Sequence, residues 1–172
     1  YNVVKLRVQT GYHESDTQLG SFLVARLFYN DTQETGTLQD LGLDGAVLEA
    51  LARVRDNLKG CVIIGGEMGD GKSTTLVRAI EQTYDEHNGK IAIVTLEDPV
   101  EYIIRRAGVM QIPMQSAGSD ETRTASYRKS LRSFVRIKPD LGMVAELGDG
   151  VAAREALQFA STGHGLLTTI HV

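Results

Sequence analysis

The sequence predicts an α/β fold built on a mostly parallel sheet, and three observations carry that prediction. Four apolar runs, Cys61 to Ile64, Ile91 to Leu96, Leu141 to Ala145 and Gly165 to Ile170, are too short for helices and too continuous for strands with one wet face. Such runs suit central parallel strands covered on both sides. Helical patterns at 73–84, 125–137 and 150–161 lie between them, which is the alternation of a parallel sheet with crossover helices. Between the first run and the first of these helices, Gly66-Glu67-Met68-Gly69-Asp70-Gly71-Lys72-Ser73 satisfies the pattern GxxxxGK[ST].

Along the chain, residues 3–9 alternate, with Val4, Leu6 and Val8 on one face and Lys5, Arg7 and Gln9 on the other, the period of a half-buried strand. A second strand is expected at 21–29. The polar stretch 30–43, rich in Asp, Thr, Gln and Gly, reads as a linker. Asp44 is placed to cap a helix whose apolar face is Val47, Leu51, Val54 and Leu58, ended by Lys59-Gly60. Leu76, Val77 and Ile80 mark the buried face of the helix after the glycine-rich loop. Segment 106–124 is less regular and is expected to be loop or short strands. Tyr1 precedes a strand-like pattern without an initiator methionine, and the chain stops after another strand-like run, so a fragment is expected.

Composition bounds the function. With 172 residues and 42% hydrophobic content the chain can bury one core plus an appendage. A net charge of −4 and a pI near 5.6 argue against a general nucleic-acid binder. No apolar stretch approaches the ~20 residues that span a bilayer, so a membrane role would be peripheral. The single cysteine, Cys61, lies in an apolar run, where a buried inert thiol is expected, and a reducing cytoplasm fits it.

The glycine-rich loop points to a nucleoside triphosphate. Glycines at 66, 69 and 71 let the backbone curl so that N–H groups face polyphosphate, with the positive end of the next helix behind them. Lys72 would reach the β/γ-phosphates, the Ser73 hydroxyl would take one Mg²⁺ position, and Thr74 continues the same turn. Glu67 and Asp70 add carboxylates beside a site meant for an anion, which weakens binding unless they point away or sit near a cation. At the carboxyl ends of two strands stand further acids: Glu97, Asp98 and Glu101 after the second run, and Glu146, with Asp149 beyond it, after the third. Glu146 is the choice for the carboxylate that orients or deprotonates the attacking water, while Glu97 and Asp98 suit the metal shell or a second polarising role. His164 and His171 bracket the last run, at opposite ends of a strand of ~20 Å, so a shared metal is rejected. Either histidine can hold a γ-phosphate or a catalytic carboxylate, or simply pack. Arg128, Arg132 and Arg136 form a helical stripe beside Tyr127, Leu131, Phe134 and Val135, read as a solvated face, with a subunit-interface or phosphate-facing role as the alternative.

Taken in order, GGEMGDGKSTTL, TLEDPVEY, LRSFVRIKPDLGMVAELGD and STGHGLLTTIH resemble the traffic ATPases of type II and type IV secretion, conjugation and type IV pilus systems. The resemblance covers about residues 38–172, since TLQDLGL also resembles the family's linker. It implies a RecA-like P-loop ATPase core at 44–172, a linker at 30–43 and, at 1–29, the end of a smaller α+β domain. It further implies ATP and Mg²⁺ as ligands, a homo-hexamer, an inner-membrane platform protein as partner, and a cytoplasmic location peripheral to that membrane. Residue by residue, Lys72 and Ser73 match the phosphate loop, Glu97 and Asp98 the acidic box, Glu146 the catalytic glutamate, and His164 and His171 the histidine box. Within that superfamily the long Tyr1 to Gly45 segment and the loop at 106–124 lean toward a conjugation or thin-pilus branch.

The chain departs from the family pattern at Glu67-Met68 in place of Pro-Thr, at Asp70 in place of a small polar residue, at Ala145 in place of Gly and at Gly148 in place of Arg. The leading expectation is therefore an ATP-hydrolysing motor subunit. Against it stands a nucleotide-binding assembly subunit with impaired hydrolysis, motivated by Glu67, Asp70 and Gly148. A RecA-like nucleic-acid motor is the third reading, disfavoured by the acidic pI.

Overall fold

The computed structural model describes residues 3–15, 18–29, 36–114, 120–148 and 150–171. The chain divides into two units, Tyr1–Glu34 and Thr35–Val172. In the first, β1 (Val3–Ser15) and β2 (Gln18–Tyr29) pair antiparallel with Val8 opposite Ala25 and Thr10 opposite Leu23. Both strands run past their expected bounds. Val8, expected on a buried face, is exposed, as are Leu23 and Val24, because a two-stranded ribbon has no second layer of its own. The side chains of Val4 and Leu6 lie outside the described residues.

The second unit begins inside the expected linker. Leu38–Leu41 forms one 3-10 turn, and Leu38 is buried in the same cluster as Leu51, Val54 and Leu76. This part of 30–43 therefore packs as core, driven by apolar burial; residues 30–35 lie outside the described set. Helix α1 (Gly45–Asn57) starts at Asp44, whose Oδ1 accepts the Ala46 N–H at 2.7 Å. It buries Leu51 and Val54, leaves Val47 exposed, and ends with Leu58 in the left-handed conformation.

The remaining elements alternate: β3 (Gly60–Gly66), α2 (Lys72–Glu86), β4 (Ile93–Glu97), β5 (Val109–Pro113), α3 (Asp120–Ile137), β6 (Leu141–Val144), α4 (Gly150–Ser161) and β7 (Gly165–His171). The strands form one five-stranded parallel sheet in the order β3-β7-β6-β4-β5. Alternate residues serve opposite faces. Ile93, Met143 and Leu167 pack with Leu76 and Ile80 of α2 and with α1, whereas Val94, Leu96, Val144 and Leu166 pack with Leu131 and Phe134 of α3 and Phe159 of α4. This period of two within a two-sided core is what the continuous apolar runs encode. β4, β6 and β7 are buried as expected of central strands. β3 is not central: it lies at an edge of this sheet and leaves Ile63 exposed. Gly142 lets the rings of Phe134 and Phe159, 4.6 Å apart, lie against β6, since a Cβ there would stand 2.1 Å from Phe134 Cζ. Because all five strands run the same way, their carboxyl ends share one edge.

Candidate functional site

The loop 67–71 leaves the end of β3 and enters α2 at Lys72. Gly69 and Gly71 have φ of 96° and 79°, a region that L side chains rarely adopt, so both glycines are required by the turn itself. Lys72 Nζ donates to the carbonyls of Gly66 at 2.7 Å and Glu67 at 2.6 Å, which folds the ammonium back across the start of the loop. Asp70 Oδ2 accepts the Glu67 N–H at 2.7 Å. A Cβ on Gly66 would lie 2.8 Å from that same oxygen, so glycine at 66 makes room for it. Ser73 is exposed in the first turn of α2, Thr74 is half-buried behind it, and the Met68 side chain points into solvent.

Glu97 closes β4 at the same edge. It is only 4% exposed, and its Oε1 accepts from Thr95 Oγ1 at 2.5 Å and Gln111 Nε2 at 2.9 Å. Burial pushes its carboxyl above the ordinary glutamate range, opposed by those two donors and by the Glu101 backbone N–H. Gln111 also donates to the Tyr102 carbonyl and accepts the Ile104 N–H, both at 2.8 Å, so it ties the segment after Glu97 to β5. Arg106 adds a two-pronged pair with Asp85 of α2, with both contacts at 2.8 Å. Asp98 is half-buried in that segment.

Glu146 follows β6, and its side chain is half-exposed, with His171 Nε2 3.9 Å from Oε2. Gly66 registers with His171 across β3 and β7, which brings the phosphate-loop end, His171 and Glu146 to one edge. His164 is not brought there. It precedes β7 at the opposite end, and its ring stacks on Phe159 with centroids 4.7 Å apart and planes 12° apart. The length of β7 thus separates His164 from the phosphate loop within this chain. Asp149 and the side chain of Tyr127 lie outside the described residues. Leu131 and Phe134 are buried on α3, but Val135, expected beside them, is exposed, and Arg132 and Arg136 share a groove with Arg128 and Lys129. Cys61 is half-buried, which pushes its thiol up.

Two residues without an expected role shape this edge: Gln111, and Thr169, whose Oγ1 donates to the Ala145 carbonyl at 2.5 Å. The short apolar-rich run Val109-Met-Gln-Ile-Pro is the available signal for Gln111. For Thr169 there was none beyond its place before His171.

A parallel sheet with a glycine loop at one carboxyl end and acids beside it defines a P-loop α/β protein. The chain belongs to the family described as type II/IV secretion system protein, whose sequence profile matches residues 2–172. It is 35% identical over 155 residues to the type II secretion system protein E of Xanthomonas campestris pv. campestris, covering 90% of this chain and 25% of that protein. Among solved structures it is similar to the ATPase DotB of Legionella pneumophila, with a TM-score of 0.72 and 26% identity over 97% of this chain and 43% of that one. The pilus retraction motor PilT with bound ADP gives a TM-score of 0.68 and 25% identity over 96% of this chain and 48% of that one. The chain spans about a quarter of the length of the curated relatives it matches. Among the described residues, no helix is long and apolar enough to cross a membrane.

Proposed function

We propose that this chain is the nucleotide-binding part of an ATP-hydrolysing motor subunit of a secretion, conjugation or type IV pilus machine. The carrying observation is the shared edge at which the loop 66–71, Lys72 and Ser73 stand with Glu146 and His171. Residues Gly66 to Thr74 would cradle the phosphates, with Lys72 released from its two carbonyls to meet them. Glu146, exposed enough to meet a water, is assigned as general base, and His171 as the group that orients it. Mg²⁺ takes one or two protein oxygens along with phosphates and waters, and its charge would neutralise the transferring phosphoryl group. Ser73 and Glu146 suit such a shell, with Asp98 near it. Glu97 suits it poorly as a direct ligand, since its Oε1 is already taken, and it fits better as an anchor for the acidic segment. The assembly we assign is a homo-hexamer acting on an inner-membrane platform protein from the cytoplasmic side, with residues 1–29 and 30–43 as preceding domain and linker.

Asp70 favours a second reading, a nucleotide-binding subunit with impaired hydrolysis, because its carboxylate already occupies a loop N–H. Lys72→Ala and Glu146→Gln test both readings in the intact protein. The first should lose ATP binding; the second should bind ATP and lose ~10²-fold or more in turnover. Undiminished affinity in Lys72→Ala removes the loop assignment, and wild-type turnover in Glu146→Gln removes the assignment of the base.

A further inference from the structure

The parts assigned to binding and to hydrolysis stand on strands that are not neighbours. β3 leads into the phosphate loop, β6 leads into Glu146, and β7 lies between them. The regular β6–β7 ladder ends where Val144 meets Thr168. Beyond it, the next residue of β7 holds the segment after β6 at two points: Thr169 Oγ1 donates to the Ala145 carbonyl at 2.5 Å, and the Leu147 N–H donates to the Thr169 carbonyl at 3.0 Å. The residues on both sides of Glu146 are thereby pinned to one side chain and one peptide group. Thr169 also registers with Ile64 of β3 and lies two residues before His171, which faces Glu146.

We propose that Thr169 is a positioning residue for Glu146, an inference that rests on the reading of Glu146 as the general base. On the β4 side the Ala145 N–H still donates to the Leu96 carbonyl at 2.9 Å. On the β7 side the regular ladder has ended, so the carbonyl end of Ala145 is held there by the Thr169 hydroxyl, and a base displaced by about 1 Å can lose ~10²-fold in rate. The hydroxyl holds the peptide before Glu146, and the backbone contact holds the one after it. Thr169 is buried and its hydroxyl is engaged by the Ala145 carbonyl, so its side chain is placed to act on the backbone at Glu146. The adjacent Thr168 supplies a control: it is equally buried, and its Oγ1 has no hydrogen-bond partner among the described residues.

The test compares Thr169→Val, Thr169→Ser, Thr168→Val and Glu146→Gln in the intact protein, reading ATP turnover and nucleotide affinity separately. Thr169→Val should lower kcat by ~10- to 100-fold while nucleotide affinity stays within about twofold of wild type. Thr169→Ser should restore most of the rate, and Thr168→Val should leave both quantities unchanged. If the valine variant fails to fold because a methyl faces the Ala145 carbonyl, Thr169→Ala removes the same donor with a smaller side chain and is held to the same split. The proposal is overturned if the hydroxyl-free variant turns over at the wild-type rate, if serine does not restore it, or if affinity falls in step with kcat. Wild-type turnover by Glu146→Gln would take away the reading beneath the proposal. An inactive Glu146→Gln beside a fully active Thr169→Val would overturn the proposal alone.

Discussion

Asp70 Oδ2 accepts the backbone N–H of Glu67 at 2.7 Å, so the phosphate loop carries its own anion. An incoming phosphate has to displace that carboxylate or share the loop with it. At ~6 Å and an effective dielectric near 20, two like charges repel by roughly 3 kcal/mol before solvent and ions reduce it. Asp70→Asn keeps an acceptor for the Glu67 N–H and removes the charge. It should tighten ATP binding several-fold, with the gain shrinking as salt rises. Equal affinities at low ionic strength would place the carboxylate clear of the phosphates once nucleotide is bound.

Glu67 is exposed and meets the loop through its backbone. Glu67→Thr should therefore give a smaller gain in affinity than Asp70→Asn. A larger gain, seen by titration of both variants under one buffer, would reverse that ranking.

Gly142→Ala should be strongly destabilising. Its methyl would stand 2.1 Å from Phe134 Cζ and 2.9 Å from Phe159 Cε1, and both rings are fully buried with no room to retreat. Overpacking of this kind costs about 1 to 3 kcal/mol. Denaturant unfolding measures it; an unchanged midpoint would mean that the ring pair shifts freely.

Burial raises the carboxyl of Glu97 above its unfolded value, so between the two values the folded state binds the extra proton. Its contribution to stability therefore falls as pH rises from the ordinary glutamate range to the raised folded value, and is flat above that. Glu97→Gln should remove this decline and raise the melting temperature near neutral pH. A melting profile from pH 4 to 8 that runs parallel for both proteins would contradict it.

Gln111→Leu should loosen the segment from Asp98 to Gly108 without opening the sheet. It deletes one donor to Glu97, another to the Tyr102 carbonyl, and the acceptor of the Ile104 N–H, each worth about 1 kcal/mol. Amide exchange at Ile104 should quicken while exchange in β6 stays slow. Protection retained at Ile104 would show that the Arg106–Asp85 pair holds the segment by itself.

Much of the fold is legible in the sequence. Continuous apolar runs named β4, β6 and β7, helical periods named α2, α3 and α4, and Asp44 announced the start of α1. β5 was only half visible, because a five-residue strand at the sheet edge, with Met110 exposed, carries too little apolar signal to stand out from loop. Of the candidate site, the glycine positions and the acids after two strands could be read as types. Their environments could not: Glu97 and Glu146 follow their strands in the same way, yet one is buried and tethered while the other faces solvent and a histidine.

The sequence by itself determined what local backbone chemistry encodes: the strand and helix alternation, the turn that only glycine at 69 and 71 can follow, and the capped start of α1. The tertiary structure decided who meets whom. The order β3-β7-β6-β4-β5 places Thr169 between the loop strand and Glu146, separates His164 from His171, and leaves β3 at an edge. Dihedral preference and apolar period act over a few residues, whereas these pairings join segments far apart in the chain. Their selection rests on how two whole faces of apolar side chains pack, which no short window of sequence contains.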